Sequence, residues 1–443
     1  MSPGPLCLDG PVTTAVPLGY PLHEHTLDNG LRVIVSPDHA VPFVAVNLWY
    51  DVGSRDEQPG RTGLAHLFEH VMFQGSAHVA SGEHFNRLQA AGATGNATTW
   101  FDRTNYFEAV PTGALDLALW LEADRMANLL PALTQENLDT QREVVKEEKR
   151  QRYDNAPYGD TIDHLLGLAF PAEHPYGHTV IGSMEDLDAA SLADTHAFFT
   201  TWYAPTNAVL TLVGDVTAED GLAKANTYFG HLPSRGVPAR SRVSPLPPHE
   251  GVPRRTTTAP VPADLLYVQW RTPARGTRVA DAIDIALTVL GGSETSRLYR
   301  RLVRDEAMSS GAGASAIPLA WGNSLALGYA RALDGQDLAT LEDALCDEVA
   351  RFCSGGPTDA ELQRAHIQFE REWLGECSRL ESRADLFGAH ATLYGDPGRV
   401  NRRITEYTSI SAAEVRDAAR AWLRPDQRAV LEYRRGPMGP EQW

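Results

Sequence analysis

The chain has 443 residues, 43% hydrophobic and 22% charged, enough for two domains with separate cores and too little charge for extensive disorder. Its 39 basic residues stand against 57 acidic ones, a net charge of −18, which argues against nucleic acid or an anionic membrane as the main partner. The four cysteines, Cys7, Cys346, Cys353 and Cys377, form no CxxC pair and are too sparse for a disulfide framework or a thiolate zinc site. No stretch reads as a secretory signal or a bilayer-spanning helix, so the expectation is a soluble cytoplasmic protein.

Taken in order, the chain shows the tight-turn signal Asn29-Gly30, then strands at about 31–35 and 44–50, rich in β-branched and aromatic residues. Helical periodicity follows over about 62–74, 81–92, 113–129, 134–153 and 189–201, then a strand at 207–216 and another helix. A proline-rich stretch, 232–255, has neither periodicity and reads as an extended linker. Beyond it the order repeats more weakly: ADLLYVQWRTP as a strand, RVADAIDIALTVLGG and SRLYRRLVRDE as helices, a long helical region over 336–421, and RAVLEY as a strand. The expected fold is α+β. Two related domains, residues 20–232 and 256–436, each pack a mainly antiparallel sheet with helices, and a proline-rich linker at 233–255 joins them.

The polar residues of GLAHLFEHVMFQG, residues 63–75, stand out. His66 and His70 are four apart, so on a helix both imidazoles lie on one face and can reach one ion. Zinc favours such nitrogen ligands, and a catalytic zinc lowers the pKa of its water toward about 7. Glu69 lies where a carboxylate could exchange protons with that water, in the reverse order of the commoner HExxH motif. A histidine pair alone is more often packing than a ligand set, and a third ligand must come from elsewhere. Downstream, TQENLDTQREVVKEEKRQRYDN (134–155) reads as a helix capped by Thr134. Residue chemistry leaves Glu143, Glu147 and Glu148 all open as that ligand.

Together, HxxEH and this acidic helix resemble the inverted-motif zinc peptidases of the M16 (pitrilysin) family, most closely its short-chain, processing-peptidase-like branch. The family places a glutamate 76 residues beyond the second histidine, and here 147 − 70 − 1 = 76. The resemblance therefore implies one Zn2+ per chain held by His66, His70 and Glu147, with Glu69 as general base. GATGNATTWFDRTNYFE (92–108) resembles the family's cleft-lining edge strand. Asn96, Ala97 and Thr98 are the residues expected to offer backbone to an extended peptide. His174 and His178 fall in a scaffold-like stretch and are expected to be structural.

Active members also carry a second-half arginine and tyrosine seven residues apart. Arg304 matches the arginine, but residue 311 is glycine. The implied explanation is a heterodimer in which a homologous subunit supplies the Arg/Tyr pair, with a homodimer as second choice. The expected function is zinc-dependent endopeptidase action on short or unfolded peptides inside a dimeric chamber. The alternative is a non-catalytic peptide-binding or scaffold subunit.

Overall fold

The computed structural model describes residues 16–240 and 243–437; Cys7 and the first fifteen residues of the stretch read for a signal lie outside them. The first domain runs β1 (His23–Thr26), β2 (Arg32–Pro37), β3 (Phe43–Tyr50), α1 (Leu64–Val71), α2 (Glu83–Ala90), β4 (Thr94–Thr99) and β5 (Thr104–Pro111). It continues with α3 (Leu115–Asn128), α4 (Gln135–Lys149), α5 (Thr161–Ala169), α6 (Met184–Ala189), α7 (Leu192–Trp202), β6 (Ala208–Gly214) and α8 (Ala218–Phe229). The second domain runs β7 (Arg254–Ala259), β8 (Leu265–Pro273), α9 (Arg278–Gly291), β9 (Ser309–Ile317), β10 (Asn323–Ala332) and α10 (Leu338–Gly355). Then come α11 (Asp359–Ser378), α12 (Leu380–Tyr394), α13 (Arg399–Thr408), α14 (Ala412–Trp422) and β11 (Ala429–Arg435).

Among the described residues the strands form two sheets, ordered β1-β2-β6-β3-β5-β4 and β7-β11-β8-β10-β9. Apart from β1, the second order repeats the first position by position. Each sheet has one parallel pair, β2 with β6 and β7 with β11, and is otherwise antiparallel.

The two domains cover each other's sheets. Residues alternate between faces along a strand, so β3 sends Val44, Val46 and Leu48 into the first core while Ala45 and Trp49 pack with Phe387 and Ala391 of α12. In return, Leu165 and Leu166 of α5 pack beside Leu327, Leu431 and Tyr433 of the second sheet. A strand buried on both faces explains why FVAVNLWY is almost continuously apolar.

The proline-rich stretch contains no helix or strand among its described residues before Arg254, but it is fastened down. Arg240 pairs with Asp51 at 2.6 Å and Asp56 at 2.8 Å, and the Leu246 N–H donates to Asn323 Oδ1 at 2.7 Å. Its last two residues, Arg254 and Arg255, already belong to β7. The segment expected as a helix at SRLYRRLVRDE is a π-helical turn, Tyr299–Asp305. Strands β9 and β10, which the sequence reading did not assign, follow it.

Candidate metal centre

Helix α1 is anchored at both ends. The buried Glu57 carboxylate accepts from the N–H groups of Gly63 (2.9 Å) and Ala65 (2.6 Å), satisfying donors that a helix start leaves free. Past its C-terminal turn, Gly75 adopts φ +106, and a Cβ there would meet the Val79 carbonyl at 2.7 Å. Leu64, Leu67, Phe68 and Val71 bury one stripe of α1, so His66, Glu69 and His70 are left half-buried on the opposite side.

Helix α4 supplies the third group. Thr134 caps it by accepting from the Asn137 N–H at 3.2 Å, and Leu138 and Val145, seven apart, bury its inner face. Glu148, three residues past Val145, continues that face. Its Oε2 lies 3.7 Å from His66 Nε2 and 3.5 Å from His70 Nε2. The three ligand atoms lie within 4.8 Å of one another. Ligands on a tetrahedral zinc, at about 2.0–2.1 Å from the ion, sit roughly 3.4 Å apart, so the group fits zinc with small adjustments.

This corrects the ligand taken from spacing. Glu147 is exposed and pairs with Arg150 (3.1 Å) and Gln151 (2.9 Å), away from the histidines. Neighbouring helical residues point about 100° apart, so one residue in the count moves the carboxylate off the site.

The electrostatics suit a cation. Burial, then the neighbouring His70, lowers His66 to about 4, so at neutral pH it is an uncharged ligand. Hydrogen bonding to His70 holds Glu148 below its usual range. The other oxygen of Glu148 accepts from Arg152 at 2.6 Å, and Arg152 lies in a π-helical turn (Arg150–Asp154) that directly follows α4. Among the described residues His66 Nδ1 is buried with no hydrogen-bond partner, so none of them supplies the orienting hydrogen bond common behind a ligating imidazole. Burial raises Glu69, opposed most by a hydrogen bond that its carboxylate accepts from the Thr99 hydroxyl.

Thr99 ends β4, the edge of the first sheet. The Trp100 N–H donates to the Arg103 carbonyl at 2.9 Å, closing the β4–β5 hairpin. In an antiparallel ladder, hydrogen-bonded pairs alternate. With Trp100 opposite Arg103, the pairs Thr98–Asn105 and Asn96–Phe107 turn their backbone groups inward. Gly95, Ala97 and Thr99 face theirs outward. Of the three residues expected to offer backbone, Ala97 does so, and the Asn96 Oδ1 accepts from its N–H at 2.9 Å. Asn96 and Thr98 spend theirs on β5. Arg304 is exposed on the π-helical turn of the second domain and touches none of these groups. At Gly311, on the edge strand β9, an added Cβ would meet nothing within 4 Å.

His174 and His178 are structural: His174 stacks on Phe170 and accepts from the Tyr176 N–H at 3.1 Å, and His178 bonds the Thr179 carbonyl. A second cluster, His84, Glu108 and Glu122, is fully buried. Arg125 occupies it, donating to Glu122 at 2.9 Å and lying 3.8 Å from Glu108, so a protein cation already balances its charge. Sequence reasoning missed Glu57, Thr99 and Arg152. Glu148 was among its candidates, and the apolar spacing of Leu138 and Val145 was the signal that could have selected it.

Known proteins resemble the chain in sequence and in fold. The model of the insulinase family, peptidase family M16, matches residues 32–182, and that of the peptidase M16 inactive domain matches 189–369. Zinc protease PqqE of Helicobacter pylori is 30% identical over 381 residues, covering 84% of this chain and 83% of that protein. The crystal structure of a protease from Helicobacter pylori superposes with a TM-score of 0.87 at 25% identity, covering 95% of this chain and all of that one. The mitochondrial-processing peptidase subunit beta of Blastocladiella emersonii is 28% identical over 207 residues, 47% of this chain and 44% of that one.

Proposed function

The chain belongs to the M16 peptidase family, and from that premise we propose that it is a zinc-dependent endopeptidase acting on short or unfolded peptides. The observation that carries this reading is the convergence of His66, His70 and Glu148, with Glu69 on the same helix hydrogen-bonded to an edge strand. His66, His70 and Glu148 would hold the ion. Bound there, zinc would supply Lewis-acid polarisation and activation of water.

The chain's own residues would do the rest. Glu69 would take a proton from the attacking water and deliver it to the leaving amine. An extended peptide would pair with the outward backbone of Gly95, Ala97 and Thr99, a mode that reads main chain and tolerates varied side chains. Asn96 would release the Ala97 N–H as the peptide takes its place.

The missing Arg/Tyr pair supports a homologous partner subunit that supplies it. One relative is named as a subunit, which fits that reading. A non-catalytic role is the second reading, favoured by Gly311 and by the match of residues 189–369 to the model of the inactive domain. Glu69→Gln separates the two. On the enzymatic reading it lowers peptide hydrolysis by about 10²–10⁴-fold while zinc content, read by elemental analysis, stays at one per chain. Retained hydrolysis would sink the role given to Glu69, and no hydrolysis by the unaltered zinc-loaded protein with its partner would favour the non-catalytic reading.

A further inference from the structure

The two oxygens of Glu148 face different ways. Oε2 lies 3.7 Å from His66 Nε2 and 3.5 Å from His70 Nε2. Oε1 accepts from Arg152 Nη1 at 2.6 Å, the only side-chain hydrogen bond that Arg152 makes among the described residues. The Arg152 side chain is otherwise open to solvent, 72% exposed against 18% for Glu148. The other cations at this end of α4 are engaged elsewhere. Arg150 donates to Glu147 at 3.1 Å, and Lys149 lies 3.7 Å from Asp154.

A glutamate with an arginine four residues on is a common helical surface pair, and an exposed one ordinarily does little. Two observations set this pair apart. Its carboxylate also belongs to the candidate ligand group. The backbone that carries the arginine is also not a regular α-helix. Helix α4 stops at Lys149, and the Asn155 N–H reaches back five residues to the Arg150 carbonyl at 2.8 Å. Residues four apart on an α-helix are out of line by about 40°. A wider turn lessens that offset and brings Arg152 over Glu148. Such π turns are rare and frequently mark functional sites.

Counting donors shows what the pair can do. His66, His70 and one oxygen of Glu148 make three, which leaves a tetrahedral zinc one position for water. With both oxygens turned to the ion, four protein donors would fill the shell, as they do in structural sites. A charge-assisted bond to guanidinium competes with the ion for the second oxygen and fixes its direction.

We propose that Arg152 is a positioning residue that keeps Glu148 a one-oxygen ligand and so holds the metal site open. It acts through Glu148 and touches neither substrate nor ion. The proposal rests on the zinc-peptidase reading.

The test is the crystal structure of the zinc-loaded, full-length protein and of its Arg152→Ala and Arg152→Lys variants. Visible absorption of the Co2+-substituted proteins gives the same reading in solution. In the unaltered protein one Glu148 oxygen lies about 2.0–2.2 Å from zinc, and the other stays on Arg152. In Arg152→Ala both oxygens face the ion, and the Co2+ bands shift with the changed ligand set. Arg152→Lys, whose ammonium reaches a glutamate four residues back, restores the one-oxygen arrangement and the original bands. Circular dichroism of both variants matches the parent, because the replaced side chain is exposed. One oxygen on zinc in Arg152→Ala, with unchanged Co2+ bands, overturns the proposal. Zinc held by other residues in the unaltered protein overturns the metal centre and the peptidase reading with it. The switch in Arg152→Ala, found in a protein that cleaves no peptide when zinc-loaded with its partner, overturns the enzymatic reading alone.

Discussion

Helices α1 and α9 occupy the same place in the two sheets, each following the strand that is third from the β4 or β9 edge, and they do opposite things. On α9 the residues Ile283, Ala286, Leu287 and Leu290 are buried, and the helix ends at Gly291 directly on β9. A Cβ on Gly291 would overlap the backbone of Gly313 and Ala314. The second domain therefore closes helix onto edge strand with no room for a ligand. In the first domain that gap is kept open and bridged by side chains, the Thr99 hydroxyl donating to Glu69, and α4 adds Glu148 to its far side. One frame serves twice: sealed, it is scaffold, and held apart by half-buried polar groups, it is a site.

The largest expected effect tests whether α4 completes that site as drawn. Glu148→Gln removes the only carboxylate that faces both histidines among the described residues, and zinc affinity should fall by roughly 100-fold or more, given that even residues behind metal ligands cost about 10–100-fold. Glu147→Gln removes a surface carboxylate bonded to Arg150 and Gln151, and zinc affinity should stay within about twofold. Competition with a chromophoric chelator reads both. A reversal of the two results would mean that α4 turns by one residue when metal binds.

Much of this was legible in the sequence. The 3.6-residue period marked α1 and α4, and the His66–Glu69–His70 spacing marked the face they share. Runs such as NAVLTLVGDV marked the central strands. The third ligand was harder because adjacent glutamates look alike in composition and differ only in direction, which packing fixes. Strand β9 was not seen because SSGAGASAI is built of small residues with weak strand preference, and only its ladder with β10 makes it a strand. Glu57 was invisible for another reason: a carboxylate capping a helix from six and eight residues away leaves no periodic trace.

The sealed half of the comparison can be broken at Gly291. Its nearest neighbours are backbone atoms, which cannot swing aside, so Gly291→Ala forces α9 off β9. Overpacking of this kind costs about 1–3 kcal/mol, and the upper end is expected where only backbone can yield. Urea unfolding should show the loss, while zinc affinity of the folded protein stays unchanged. A folded variant of undiminished stability would mean that the second domain is as loosely closed as the first.

The smallest effect concerns what charge does in the second domain. At the start of α11, Glu361 accepts from Arg297 (2.7 Å), from the Thr358 N–H (2.8 Å) and from the Thr358 hydroxyl. The Arg297 hydrogen bond is the main reason its pKa falls from 4.5 to about 2. Because the folded-state value is the lower one, the unfolded chain binds the proton more readily, and Glu361 stabilises the fold fully only above about pH 4.5. The contribution is lost as pH falls through about 2. Glu361→Gln should therefore cost about 2 kcal/mol at pH 7. The gap between variant and parent should narrow to less than half near about pH 3, as the two pKa values require. Chemical denaturation at a series of pH values measures it. A gap that does not shrink with acid would mean that Glu361 acts through shape rather than charge. Zinc affinity should not move at any pH where the protein is folded, because this carboxylate, unlike Glu148, has only its own domain to hold.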